Sequence, residues 1–170
     1  MKVLGEMTFK KLLKLGIFHS IYWFTTQMAL ASVGTKFPHT FFTKYSQLFK
    51  SFSWEKEGKI WNDLFKINKW KGYIPEGSQL NQNIYNKKQL TSFKLNDLHT
   101  MIIEMRRAEF VHWLSMLPVL AFLKAPTHIK IINVSYVVLA NLPIIITQRY
   151  NRPRLEKVYQ LKLKRGAHRD

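Results

Sequence analysis

Glu109 and His112 are the residues whose types and spacing best fit acid–base chemistry. They are three positions apart in a segment predicted to be helical, so both side chains lie on one helix face. A carboxylate beside an imidazole orients the ring and raises its pKa. A general base needs this arrangement when it takes a proton from an alcohol. We predict that His112 and Glu109 are catalytic; the alternative is a structural pair that joins two helices.

A second group of residues suits an anionic ligand. Arg149, Arg152 and Arg154 fall within six residues, and guanidinium groups match phosphate in charge and in fork geometry. Anionic lipid headgroups would satisfy the same arginines equally well. The spacing therefore predicts an anion-binding surface without choosing between lipid and a specific ligand.

The composition explains why an anionic partner is expected. The chain of 170 residues has 27 Lys and Arg against 10 Asp and Glu, for a formal charge of +17. It has no cysteine, which excludes disulfides, thiolate zinc sites and a catalytic cysteine. The six histidines show no metal-ligand spacing, so no metal site is predicted. Nucleic acid would also explain the charge, but the apolar segments described next argue against nucleic-acid binding.

Three stretches without charged residues divide the chain. We predict apolar helices over about 15–35, 108–123 and 131–148, a polar interfacial region over 36–107 and a basic tail over 149–170. A spanning helix needs about 20 apolar residues, which the first and third segments supply and the second approaches. The predicted fold is all-α: a small integral membrane protein with about three apolar helices and additional interfacial amphipathic helices. A soluble helical bundle is the alternative.

The distribution of positive charge predicts how such a protein is oriented. With three spans, the polar region and the basic tail share one side, which then holds 21 of the 27 cationic residues. The positive-inside rule places that side in the cytoplasm. We therefore predict a multi-pass protein of the cell membrane. The alternative is that the first segment is part of a cleaved secretory signal, whose cleavage box would be Ala29-Leu30-Ala31.

Amphipathic helices are predicted on either side of the apolar segments. One begins near Ser53, and one begins at Asn96 or Asp97 and continues into the second apolar segment. Asn151 is predicted to cap a separate final helix with Pro153 in its first turn.

Several blocks of the sequence resemble the staphylococcal glycosyl-4,4'-diaponeurosporenoate acyltransferase family. The resemblance extends over nearly the whole chain. The blocks are QLNQNIY (79–85), MIIE (101–104), RAE (107–109) with HW (112–113), NLPIII (141–146), QRYNRPRL (148–155), and FKSF (49–52) with WN (61–62).

The resemblance implies the final step of staphyloxanthin biosynthesis. A branched fatty acyl group is esterified to the C6 hydroxyl of the glucose on a glycosylated C30 carotenoid. No cofactor is implied beyond the acyl donor, which is an acyl-CoA or acyl-carrier-protein thioester. Anionic membrane lipid is a further predicted partner.

The predicted roles follow from combining this reaction with the residues. His112 deprotonates the sugar hydroxyl, Glu109 orients His112, and Arg149 or Arg152 steadies the oxyanion or the donor's phosphates. The remaining predicted substrate-binding residues are Asn81, Asn83, Arg107 and Asn151. A non-catalytic membrane subunit that holds a carotenoid-synthesis complex together is the alternative function.

Overall fold

The protein is described by a computed structural model over residues 9–74 and 94–167. Within these ranges it forms only helices and connecting turns, without a β-strand, which confirms the all-α prediction. The α-helices are α1 (Phe9–Lys36), α2 (His39–Lys44), α3 (Lys59–Phe65), α4 (Ile67–Trp70), α5 (Leu95–Leu114) and α6 (Thr127–Ala167). The 3₁₀ helices are Ser46–Phe49, Ser53–Glu55, Lys71–Tyr73 and Leu117–Phe122.

The first predicted apolar segment lies within α1. This helix contains no proline and ends just before Pro38, because the residue that precedes a proline is disfavoured in helical backbone. Gly34 lies against Val111 of α5, and Trp23 Nε1 donates a hydrogen bond to Asn133 Oδ1 of α6 at 2.7 Å. Helix α1 thus contacts both long helices through two buried residues.

The second predicted apolar segment is not one helix. Helix α5 ends at Leu114, and Leu117–Phe122 forms a 3₁₀ helix with Pro118 near its start. Proline lacks the N–H that would continue an α-helix, and its ring clashes with the preceding turn. The carbonyl oxygen of Pro118 instead accepts a hydrogen bond from the Tyr22 hydroxyl at 2.7 Å. The prediction of a helix over 108–123 is therefore wrong in its second half.

The third apolar segment and the basic tail share one helix. Helix α6 continues through Pro143 and Pro153, so the separate final helix predicted after Asn151 does not form. Instead of capping a helix, Asn151 accepts a hydrogen bond on Oδ1 from Lys71 Nζ at 3.1 Å. At 1.5 Å per residue, the 41 residues of α6 extend about 60 Å, twice the thickness of a bilayer's hydrocarbon core.

One line of residues on α6 is buried for most of its apolar half. Every fourth residue along this ridge is buried against the rest of the protein, which is the i±4n row that packs into the grooves of neighbouring helices. The buried residues are Ile129, Asn133, Val137, Asn141, Ile145 and Arg149. Every second member of the ridge is polar or charged, so α6 has a polar line that faces the protein and not the surroundings.

Of the helices in 9–74 and 94–167, α6 alone is long and apolar enough to cross a membrane by length and composition. Only a third of its apolar window is buried within the protein. Ile131, Ile132 and Leu139 are each more than half exposed. These side chains form an apolar surface on the half of α6 that precedes the arginines.

The polar region after α2 contains turns where one amphipathic helix is predicted from Ser53. Left-handed backbone at three consecutive residues, Lys56, Glu57 and Gly58, and again at Lys66 divides the segment into short helices. The prediction of one helix here is wrong. The first of these turns reverses the chain after Ser53–Glu55 and so brings Glu55 against α6.

Gly58 permits the close approach of this turn to α6, and its replacement by alanine is expected to destabilise the protein. Its φ is +85°, and a Cβ atom there would lie 2.6 Å from the carbonyl oxygen of Arg149. Left-handed backbone costs a residue with a Cβ atom about 1–3 kcal/mol, and a main-chain clash adds to this. Thermal unfolding in detergent measures the change. Gly16→Ala is the control, because Gly16 has open space around it; an equal loss in both variants would contradict the prediction.

Candidate active site

Arg149 and Glu55 form a two-pronged ion pair between α6 and the 3₁₀ helix Ser53–Glu55. Arg149 Nε donates to Glu55 Oε1 at 2.6 Å, and Arg149 Nη2 donates to Oε2 at 2.7 Å. The same carboxylate accepts hydrogen bonds from Trp61 Nε1 at 2.9 Å and from the Phe52 main-chain N–H at 2.7 Å. Charge-assisted, bidentate pairs of this kind are the strongest hydrogen bonds of proteins, so Glu55 fastens the polar region to α6.

Glu109 joins Arg149 to Arg152. Its Oε1 accepts a hydrogen bond from Arg149 Nη1 at 2.6 Å, and its Oε2 accepts one from Arg152 Nη1. Arg152 is fully buried and also donates through Nη2 to the carbonyl oxygen of Phe49. We refer to Glu55, Glu109, Arg149 and Arg152 as the ionic cluster. Its two positive and two negative charges cancel, which is what allows four ionised groups to be buried together.

The ionic cluster corrects the predicted role of Glu109. We expected its carboxylate to orient the His112 ring, but both carboxylate oxygens accept hydrogen bonds from guanidinium groups. Arg149 and Arg152 lie together as their spacing implies, and their Nη1 atoms donate to Glu109. Direct contact of these arginines with an oxyanion or a donor phosphate stays a prediction, and it requires one of these ion pairs to open.

His112 is oriented by Asn141 of α6. The ring atom Nδ1 lies 2.9 Å from Asn141 Oδ1, and Asn141 Nδ2 donates to the carbonyl oxygen of Val137 at 2.9 Å. The reverse amide orientation would place two oxygens at hydrogen-bond distance, so Oδ1 faces the ring as an acceptor. Nδ1 therefore carries the proton, and in the neutral ring the lone pair is on Nε2. This is the tautomer that a general base needs.

Two of the other predicted site residues contact the protein itself. Arg107 pairs through Nη1 with Glu104 Oε1 at 2.9 Å and donates through Nη2 to the carbonyl oxygen of Phe37 at 3.0 Å. Asn151 accepts its hydrogen bond from Lys71, as described above. Asn81 and Asn83 lie outside the described residues. A substrate-binding role for these four residues stays a prediction.

Sequence reasoning missed two residues of this site, Glu55 and Asn141. Glu55 falls within the helix predicted from about Ser53, and its sequence context predicts no role in the site. Asn141 belongs to a pattern that the sequence does contain, because Asn133, Asn141 and Arg149 recur every eighth residue along the buried ridge of α6. A search for polar residues at this spacing would have identified a polar line in the apolar segment.

Acid is expected to weaken the attachment of Glu55 to α6. Burial by itself would raise the pKa of the Glu55 carboxyl, but hydrogen bonds from Arg149 and from the Phe52 N–H outweigh it, and the pKa is lowered from 4.5. The stabilisation is therefore present above the carboxyl's ordinary pKa and is lost as the pH falls through the lowered value. We expect the unfolding temperature to decrease below about pH 4.5. Glu55→Gln should be less stable at neutral pH and should show a shallower decrease; an unchanged profile would contradict the prediction.

Comparison of the sequence with known proteins shows which family the chain belongs to. The family described as glycosyl-4,4'-diaponeurosporenoate acyltransferase matches residues 38–161 of the chain. The chain belongs to this family. A Staphylococcus haemolyticus protein of that name is 58% identical over 159 residues, which cover 94% of this chain and 93% of the relative. One from Staphylococcus aureus strain USA300 is 46% identical over 163 residues, which cover 96% and 99%.

Family membership makes the chain an acyltransferase, as the resemblance implied. The relatives carry an enzyme's name, which favours catalysis over the alternative of a non-catalytic subunit. The matched range includes the whole ionic cluster together with His112 and Asn141. No solved structure matches the chain.

Proposed function

We propose that this protein transfers a fatty acyl group from a thioester donor to the glucose C6 hydroxyl of glycosyl-4,4'-diaponeurosporenoate, the final step of staphyloxanthin biosynthesis. The observation that carries the proposal is the identity of 58% with a relative of that name over 94% of the chain. The acyl group is a branched C15 chain, and the donor is acyl-CoA or acyl-carrier protein.

His112 is the proposed general base. The sugar O–H gives its proton to Nε2 of His112, and the sugar oxygen attacks the thioester carbonyl carbon. The carbon–sulfur bond then breaks, and the leaving thiolate takes the proton from the imidazolium. The Nδ1–Asn141 hydrogen bond supports this role, since it leaves the lone pair on Nε2 and offers an acceptor that stabilises the protonated ring.

The ionic cluster is proposed to position His112 without contacting the reacting atoms. It joins α5 and α6 beside His112, because Glu109 is one helical turn before His112 and is held by two arginines of α6. Arg149 and Arg152 would reach an oxyanion or a phosphate only after releasing a carboxylate. Arg107, Asn151, Asn81 and Asn83 are proposed to contact substrate, with the two asparagines of 79–85 bonding sugar hydroxyls.

The proposed setting is the cell membrane, crossed more than once. Exposed apolar side chains occur on α1, on the 3₁₀ helix Leu117–Phe122 and on the first half of α6. Trp23 of α1 packs against Phe122 of the 3₁₀ helix and against Tyr136 of α6. This surface suits lipid and the apolar rod of a carotenoid. The basic end, formed by 36–74 and the last part of α6, faces the cytoplasm, where thioester donors and anionic lipid are available.

Reconstitution tests the activity directly. Purified full-length protein is incubated with glycosylated C30 carotenoid and radiolabelled branched C15 acyl-CoA or acyl-carrier protein, and the labelled ester is quantified by chromatography. Ester formation that requires the protein supports the proposal. Folded protein that yields no ester from either donor would favour a non-catalytic subunit.

A further inference from the structure

We infer that a cleft on the polar end of the molecule binds the phosphopantetheine group of the acyl donor. This inference rests on the proposed thioester-dependent acyl transfer. The cleft has a volume of about 400 Å³, which is within the range of small-molecule sites. Its walls come from the end of α2 and the 3₁₀ helix Ser46–Phe49 with the residue after it, from the first two-thirds of α5 and from the last third of α6. The lining residues include Gln47, Lys50, His99, Ile102, Tyr159 and Gln160.

Several polar groups of this cleft are unused by the protein. The side chains of Ser46, Gln47, Lys50 and Gln160 form no hydrogen bond or ion pair with another described residue. By contrast, Arg106 of the same wall pairs with Glu156 at 2.8 Å, and the Glu156 carboxylate also lies 3.7 Å from Arg152 Nε. The cleft therefore offers one unneutralised ammonium, two side-chain amides and a hydroxyl.

The chemistry of these groups matches phosphopantetheine. A phosphate suits the Lys50 ammonium. The two amides of the pantetheine arm pair with groups that both donate and accept, which are the amides of Gln47 and Gln160. Its dimethyl carbon suits the apolar wall of Ile102 and the Tyr159 ring. A sugar alone would leave the ammonium without a counter-charge.

The place of the cleft favours the donor over the carotenoid. The cleft is built from the basic end, whereas the apolar rod of the acceptor belongs beside the exposed apolar residues of α1 and α6. Ile102 in the cleft and His112 are ten residues apart on α5, about 15 Å. An extended pantetheine arm, about as long as five residues, spans roughly 17 Å. The acyl thioester at its end can therefore reach the level of His112.

The cleft is also joined to the ionic cluster. The carbonyl oxygen of Lys50 lies 3.4 Å from Arg149 Nη2. The residue that supplies the ammonium is thus held in place by the same guanidinium that binds Glu55 and Glu109.

Equilibrium binding tests the inference without requiring turnover. 4'-Phosphopantetheine, and pantetheine without its phosphate, are titrated into full-length detergent-solubilised protein by calorimetry. Lys50→Gln is expected to weaken binding of 4'-phosphopantetheine about tenfold, because one charge-assisted hydrogen bond is lost, while pantetheine binding is unchanged. Lys69→Gln is the matched control, since Lys69 is an exposed lysine outside the cleft. Thermal unfolding verifies that each variant is folded.

The outcomes separate this inference from the proposed function. No binding, equal binding by Lys50→Gln and wild type, or displacement of the probe by methyl glucoside would overturn the inference even where ester is formed. Binding that depends on Lys50 supports it even where no ester is formed. Competition by CoA, and by acyl-carrier protein with and without its prosthetic group, then tells which source supplies the phosphopantetheine.

Discussion

Replacement of Glu109 by glutamine is expected to destabilise the folded protein by about 3–5 kcal/mol. The carboxylate accepts hydrogen bonds from both Arg149 and Arg152, and Arg152 is fully buried. Among carboxylates, its removal leaves Arg149 with Glu55 alone, and it leaves Arg152 with only the longer contact of its Nε with Glu156 Oε1 at 3.7 Å. An uncompensated buried charge costs much more than the ion pair itself contributes. Chemical or thermal unfolding of the purified protein in detergent measures the loss.

Glu57→Gln is the matched control for this prediction. Glu57 pairs with Lys157 at 3.5 Å, but both side chains are about two-thirds exposed, at 69% and 65%. Surface pairs contribute little, so this variant should stay within about 0.5 kcal/mol of wild type. A similarly small change in Glu109→Gln would show that the cluster does not hold α5 to α6.

A double variant keeps the prediction testable if Glu109→Gln fails to fold. Adding Arg152→Gln removes the buried charge that has lost its direct hydrogen bond to Glu109, so the combined loss should be smaller than the sum of the two single losses. Additive losses would mean that Glu109 and Arg152 act independently, against their direct hydrogen bond.

Replacement of His112 by alanine is expected to lower the rate of acyl transfer by 10²–10⁴-fold, the usual contribution of a general base. Stability should change less than in Glu109→Gln, because His112 is only half-buried. The measurement is the turnover number of folded protein at saturating donor and acceptor. Near-normal turnover in His112→Ala would exclude it as the base.

Asn141→Asp separates a chemical role of His112 from a packing role. Asn141 is fully buried and offers Oδ1 to the Nδ1 proton. An aspartate there would keep the hydrogen bond to His112 but lose the one that Asn141 Nδ2 donates to Val137, so thermal unfolding first verifies that the variant is folded. Its negative charge favours the imidazolium and raises the pKa of His112. The acid limb of the pH–rate profile should move to higher pH. A purely structural histidine would leave the position of that limb unchanged.

The sequence alone determined the helical class and the position of the apolar segments. Runs without charge at 15–35 and 131–148 left little alternative to helices, and both are helical. The failures have local causes. Pro118 converted the end of the second segment into a 3₁₀ helix, whereas Pro153 interrupted nothing. The same residue type thus had opposite outcomes, depending on tertiary contacts.

Those contacts explain why Pro153 is tolerated. Arg149 and Arg152 lie just before it on α6, and both are held by Glu109. A proline inside a helix costs about 3 kcal/mol through the lost hydrogen bond and the ring clash. Several charge-assisted hydrogen bonds that fix α6 on α5 offset this cost. Local sequence rules describe the cost of the proline but not the tertiary hydrogen bonds that offset it.

The candidate site was determined only in part by the sequence. Spacing alone places Glu109 and His112 near each other on one helix, as i,i+3 neighbours. Which partner each side chain takes depends on groups that other elements bring. Arg149 is 40 residues from Glu109 and 94 from Glu55, and Asn141 is 29 from His112.

The tertiary structure therefore decided the chemistry that each residue can do. A carboxylate that meets two guanidinium groups binds them in preference to a neutral imidazole, because hydrogen bonds between two ionised groups are stronger than those to a neutral one. Glu109 is part of the neutral ionic cluster, and the uncharged side-chain amide of Asn141 orients His112. The basic residues also differ in their partners: Arg149 and Arg152 pair with buried carboxylates, whereas Lys50 stays without a carboxylate partner at the cleft.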